Sequence, residues 1–120
     1  MTMTSYFFDS YALIEILKAS ENYSSYINKE VVVTKLNLFE VYYKFLELSK
    51  EKADIFLKIY SPKAVDFDEV VISEACKLKL ANKKLSITDC IGYVTATKLG
   101  INFLTGDKEF EGIKNVEFVK

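Results

Sequence analysis

Residues 85–110 read LSITDCIGYVTATKLGINFLTGDKEF, and their reading decides the fold. Ser86-Ile87-Thr88-Asp89 has the S-x-x-D form of a capping box, so a helix is predicted to begin at Ser86. It runs to Leu99 and stops at Gly100, a residue suited to the left-handed turn that closes helices. Ile101 to Leu104 is an apolar run of strand length, broken by Thr105-Gly106-Asp107. A helix feeding directly into a buried strand is half of a β–α–β crossover. Parallel strands require such crossovers, because a short turn cannot return the chain to the same end of a sheet.

The same alternation extends outward. Ser5-Tyr6-Phe7-Phe8 is a strand candidate stopped by Asp9-Ser10, and a helix follows over Tyr11–Ala19 with Ala12, Leu13, Ile16 and Leu17 on one face. Glu21–Asn28 is a second, short helix. The β-branched run Val31-Val32-Val33 is a buried strand. Leu36–Ser49 carries Leu36, Phe39, Val41, Tyr43, Phe45, Leu46 and Leu48, and reads as a mostly buried helix. Lys52–Tyr60 is a further helix, closed by Ser61-Pro62. Ala64-Val65 is a weak strand. Asp68 is expected to cap a helix over Glu69–Asn82, whose apolar set is Val70, Val71, Ala75, Leu78 and Leu80. Val116–Val119 is a last strand whose alternation suggests a sheet edge. The expected product is one α/β domain over residues 1–120, a three-layer α/β/α sandwich around a central, mainly parallel sheet.

Composition narrows the chemistry. The chain has 16 basic and 17 acidic residues, so no basic excess favours a polyanion. All the basic residues are lysine, and histidine is absent, which excludes a histidine general base, a Ser-His-Asp triad and imidazole ligation. Cys76 and Cys90 form neither a CxxC nor a zinc pattern, and their apolar helical surroundings predict buried, reduced thiols in a cytoplasmic protein. The first ten residues, MTMTSYFFDS, lack the basic start and long apolar core of a signal peptide. No apolar run reaches the roughly 20 residues needed to span a bilayer.

In parallel sheets, ligands sit beyond the carboxyl ends of the strands. Asp9 directly follows the first strand, and Asp107 follows the Ile101–Leu104 strand after Thr105-Gly106. Glu40 lies inside the helix after Val31–Val33, and Asp89 lies in the first turn of the helix leading to Ile101. Each acid has a plain alternative. Asp9 and Asp89 suit helix caps, and Asp107 suits a turn. Glu40 is harder to dismiss, because an unpaired carboxylate in the apolar stretch LFEVYY is costly. Together, four carboxylates at one sheet end suggest an oxygen-ligand site for Mg²⁺ or Mn²⁺, since clustered acids repel unless a proton or cation separates them. Such an ion would also activate water in place of the missing histidine.

In this order and spacing, FFDSYALIE, VVVTKLNLFEVYYK and LSITDCIGYVTATKLGINFLTGDKEF resemble the PIN-domain nucleases, and among them the VapC-type toxins. The resemblance covers nearly the whole chain. It implies an endoribonuclease that cleaves RNA with water activated by Mg²⁺ or Mn²⁺ in an acidic pocket. Asp9, Glu40, Asp89 and Asp107 match the family's acidic positions, Thr105 matches its supporting polar residue, and Ser10 is a further supporting candidate. It also implies a homodimer and a VapB-type antitoxin partner. Two features depart from the pattern. Cys90-Ile91-Gly92 stands where alanine-rich sequence is usual, and only lysines such as Lys35, Lys44 and Lys108 could stand in for an arginine contact, a solvated face being the plainer role of each. Three alternatives stay open: a non-catalytic PIN-like binding module, an RNA-processing nuclease that is not a toxin, and a receiver-like domain phosphorylated on Asp66.

Overall fold

The computed structural model describes residues 4–120, and the first three residues of MTMTSYFFDS, the stretch that lacks signal-peptide features, lie outside the described residues. Four strands, β1 (Ser5–Phe8), β2 (Glu30–Val32), β3 (Asn102–Thr105) and β4 (Val116–Phe118), form one sheet in the order β2-β1-β3-β4. Every neighbouring pair is parallel. The registers set Phe7 beside Val32 and Phe103, and Leu104 beside Phe8 and Glu117. Among the described residues, five α-helices flank the sheet: α1 (Ser10–Leu17), α2 (Lys35–Leu46), α3 (Lys50–Tyr60), α4 (Glu69–Ala81) and α5 (Ile87–Leu99).

The two central strands are covered on both sides, which is why their sequences are continuous apolar runs. Successive side chains point to opposite faces. Phe7 and Phe103 therefore enter one core with Val71, Ala75, Ile91 and Val94 from α4 and α5. Phe8 and Leu104 enter the other with Leu13, Val41 and Phe56 from α1, α2 and α3. This is the expected three-layer sandwich. No helix among the described residues is long and apolar enough to cross a membrane.

Several local expectations shift. Glu21–Tyr26 is a 3-10 helix, a tighter form of the expected short helix. Ala64-Val65 forms no strand and contributes a single parallel bridge from Ala64 to Val33. The α2 helix is not mostly buried. Leu38 and Val41 face the core, while Phe39 is 73% and Tyr43 62% exposed. An outer-layer helix buries one stripe only, so apolar residues on its other side face solvent. The same geometry exposes Val70 and Leu80 on α4. It also leaves Cys76 exposed, against expectation, while Cys90 is buried; both thiols are free.

Candidate functional site

Strand order reverses direction between β1 and β3, since the chain leaves β1 toward β2 on one side and returns to β3 on the other. That switch point is where a parallel sheet opens a crevice at its carboxyl ends. The residues following these two strands are Asp9 and the Thr105–Asp107 segment. The Asp9 N–H donates to the Leu104 carbonyl, extending the ladder by one rung. Its side chain then caps α1, with Oδ1 accepting the Ala12 N–H at 2.8 Å and Oδ2 accepting the Thr105 hydroxyl. Thr105 is fully buried, and its Oγ1 also accepts the Asp107 N–H at 2.9 Å. One hydroxyl thus ties the ends of β1 and β3 together.

Asp107 accepts the Glu109 N–H at 3.0 Å and so caps the 3-10 turn Lys108–Phe110. Both readings of this residue hold, the turn and the shared cleft. Gly106 works by close approach and not by an unusual backbone angle. A Cβ there would lie 2.1 Å from Tyr11 Cε1. Asp89 occupies the first turn of α5, where its N–H donates to Ser86 Oγ at 3.0 Å. Glu40 is exposed, which overturns the argument from burial in an apolar stretch. It sits at the margin of the α2 stripe, and its Oε1 accepts the Ser10 hydroxyl at 2.6 Å.

Asp9, Glu40, Asp89 and Asp107 all line one cleft of about 440 Å³, together with Ser10 and Lys108. Asp66, the receiver-like alternative, lines a different depression with Phe67 and Asp68. Burial, reinforced by the charges of Asp89 and Asp107, pushes the Asp9 carboxyl up to about 7 despite the hydrogen bonds from Thr105 and Ala12. Burial likewise raises Asp89 to about 6, against its bond with Ser86, and Asp107 and Glu40 add repulsion. A carboxyl–carboxyl contact between Asp89 and Asp107 raises it further. The cleft therefore holds more negative charge than its surroundings solvate, and it favours a proton or a cation.

A family model for the PIN domain matches residues 6–116. The chain belongs to the PIN-domain family. This PIN domain shares its fold with a toxin–antitoxin complex from Klebsiella pneumoniae, at 18% identity and TM-score 0.76 over 93% of this chain and 95% of that one. It is also similar to VapBC2 from Rickettsia felis bound to a promoter DNA fragment, at 18% identity and TM-score 0.70, covering 96% and 97% of the two chains. DNA-bound VapBC from Salmonella typhimurium gives 19% identity and TM-score 0.71, with 97% of each chain covered. No curated protein matches the sequence significantly.

All four acids of the PIN domain present oxygen donors, the set that suits a hard divalent cation. Among the described residues, however, no group of three or more acidic or thiol side chains is drawn together tightly enough to form a ready-made cage. Two positions escaped the sequence reading. Thr34 and Asn37 are fully buried, and Asn37 Oδ1 accepts both the N–H and the hydroxyl of Thr34 at 3.0 Å. The signal was present in Thr34-Lys35-Leu36-Asn37, a capping-box spacing after a β-branched run, with asparagine in place of the usual Glu or Gln.

Proposed function

We propose that the protein is a metal-dependent endoribonuclease, the VapC-type toxin of a toxin–antitoxin pair, with Asp9, Glu40, Asp89 and Asp107 as ligands for Mg²⁺ or Mn²⁺. The observation that carries this reading is the shared cleft at the β1–β3 switch point, lined by four separately positioned acidic residues. The raised pKa values of Asp9 and Asp89 support it, since such a site gains most from a divalent charge. When bound, the ion supplies Lewis acidity toward water and toward the phosphate oxygens.

The protein's own residues have separable tasks. Asp9 and Asp107 are held by the Thr105 hydroxyl, so their relative placement is fixed by the sheet. Glu40 reaches in from the opposite wall on a side chain anchored by Ser10. Lys108 lines the cleft and is the lysine that would meet an RNA phosphate there, as a single point charge. Partner binding has a surface available. Phe39, Tyr43 and Leu46 line an apolar depression of about 570 Å³ on α2 and α3, suited to a VapB-type antitoxin segment or a second copy of the chain. The similarity to VapBC complexes favours the toxin over a processing nuclease.

The test is RNA cleavage in Mn²⁺ by the parent and by Asp89→Asn. The parent should cut and the variant should lose at least about 100-fold, as expected when a group that stabilises transition-state charge is removed. Equal cleavage by both would place the chemistry elsewhere. Absence of saturable Mn²⁺ binding by calorimetry would instead favour the non-catalytic binding module. Induced expression should be toxic, and Asp9→Ala should abolish that toxicity.

A further inference from the structure

Asn37 does more than a cap requires. A helix N-terminus needs an acceptor at this position, and Oδ1 supplies it by taking the Thr34 N–H and hydroxyl. That requirement fixes the amide orientation, because the opposite flip would set Nδ2 against the Thr34 N–H. The Nδ2 group is therefore turned the other way, where it donates to Ser10 Oγ at 3.2 Å. Ser10 Oγ carries one proton. Having accepted from Asn37, it gives that proton to Glu40 Oε1 at 2.6 Å. The chain Thr34–Asn37–Ser10–Glu40 has one direction, set at its fully buried end.

We infer that Asn37 is a positioning residue for Glu40, acting through Ser10. The inference rests on Glu40 being a site acid, as proposed above. Glu40 is the exposed member of the four, and a free glutamate on a helix surface samples many rotamers. The Ser10 hydroxyl pins one carboxylate oxygen and leaves the other for the cleft. Asparagine is the residue that does this. Glutamate or aspartate at position 37 would accept the Ser10 proton and release Glu40, while apolar residues would leave Ser10 free to rotate.

Asn37→Asp is the discriminating variant, since it keeps the size and the cap acceptor and reverses the bond to Ser10, while the charge it buries is absent from Ser10→Ala. Ser10→Ala breaks the same chain from outside the α2 cap, and so covers the case in which Asn37→Asp fails to fold. Two readouts apply to each variant and to the double variant. The first is the set of three-bond couplings of the Glu40 methylenes in metal-free protein by NMR. The parent should show one rotamer, and each variant should show averaged values. The second is RNA cleavage in Mn²⁺, where kcat should fall about 10- to 100-fold with KM within about twofold, the range for residues that orient metal ligands. The double variant should equal the single ones. Unchanged Glu40 couplings in the folded variants, or losses that multiply in the double variant, would overturn the inference. If the parent cleaves no RNA, the nuclease reading fails on its own, and the NMR arm still decides whether Asn37 positions Glu40.

Discussion

Replacing Asp9 with asparagine should stabilise the metal-free protein at neutral and alkaline pH. Asp9 is 2% exposed, and its carboxyl titrates at about 7, against 3.8 when unperturbed. The folded state therefore holds a proton that the unfolded chain has released between these values. Stability falls as pH rises through that window and levels off above it. At about 1.4 kcal/mol per decade, the Asp9 charge costs the folded protein about 4 kcal/mol by pH 8. Asparagine keeps the Oδ1 acceptor for Ala12 but cannot accept the Thr105 hydroxyl proton on its second atom, a loss of about 1 kcal/mol. The net gain at pH 8 is about 3 kcal/mol, or on the order of 10 °C in Tm for a chain of this size. Near pH 4 the order should reverse, with the parent ahead by about 1 kcal/mol. Urea unfolding in EDTA from pH 4 to 8 measures both proteins. Asp89, raised to about 6, adds a shallower slope of the same sign in each. If Asp9→Asn unfolds at the same or lower urea concentration at pH 8, with the parent's pH slope, then Asp9 is not a desolvated charge and the electrostatic case for the cleft fails.

Thr105→Val removes the hydroxyl that joins Asp9 to the Asp107 N–H, and should cost about 2–3 kcal/mol in urea unfolding through unpaired buried groups, with Thr105→Ser near parental. Gly106→Ala forces a methyl into Tyr11 and should cost about 1–3 kcal/mol, largely recovered when Tyr11 is shortened to leucine in the same protein; additive losses would refute the steric account. Cys76 should react with a water-soluble disulfide reagent in the native protein within minutes, while Cys90, buried and with its thiol pushed up by that burial, should react only on unfolding. Simultaneous labelling of both would contradict the placement of Cys90.

Features that depend on one face or one chain position were legible in the sequence. The apolar doublets Phe7-Phe8 and Phe103-Leu104 announced strands covered on both sides, and Ser86, Asp68 and Gly100 marked helix ends by their own chemistry. The placement of Asp9 and Asp107 in one cleft followed because each terminates a parallel strand. Exposure was not legible where a helix is apolar on all sides. Phe39 and Leu38 are both apolar neighbours on α2, and only the position of α3 and the sheet decides that Leu38 turns inward. Glu40 lines the cleft with the other three acids, but its apolar sequence setting misleads, because its position is open to water. Asn37 was invisible because its second bond, to Ser10, spans 27 residues, a contact that no local spacing encodes.

The four acids divide into two mechanical classes, and the division follows from the fold. Asp9 and Asp107 are fastened to adjacent strand ends through a single buried hydroxyl, so they move only if the sheet moves. Asp89 and Glu40 arrive on the helices α5 and α2, from opposite layers of the sandwich, each held by a side-chain contact and not by a strand end. The absence of a ready-made cage among the described residues is consistent with that arrangement. Repulsion among these carboxylates raises the pKa of Asp89, which meets Asp107 across the cleft. Under the proposed metal-site reading, the strand-borne pair would supply fixed oxygen donors and the helix-borne pair adjustable ones. The Asn37–Ser10 chain limits how far Glu40 can swing and so keeps it at the cleft.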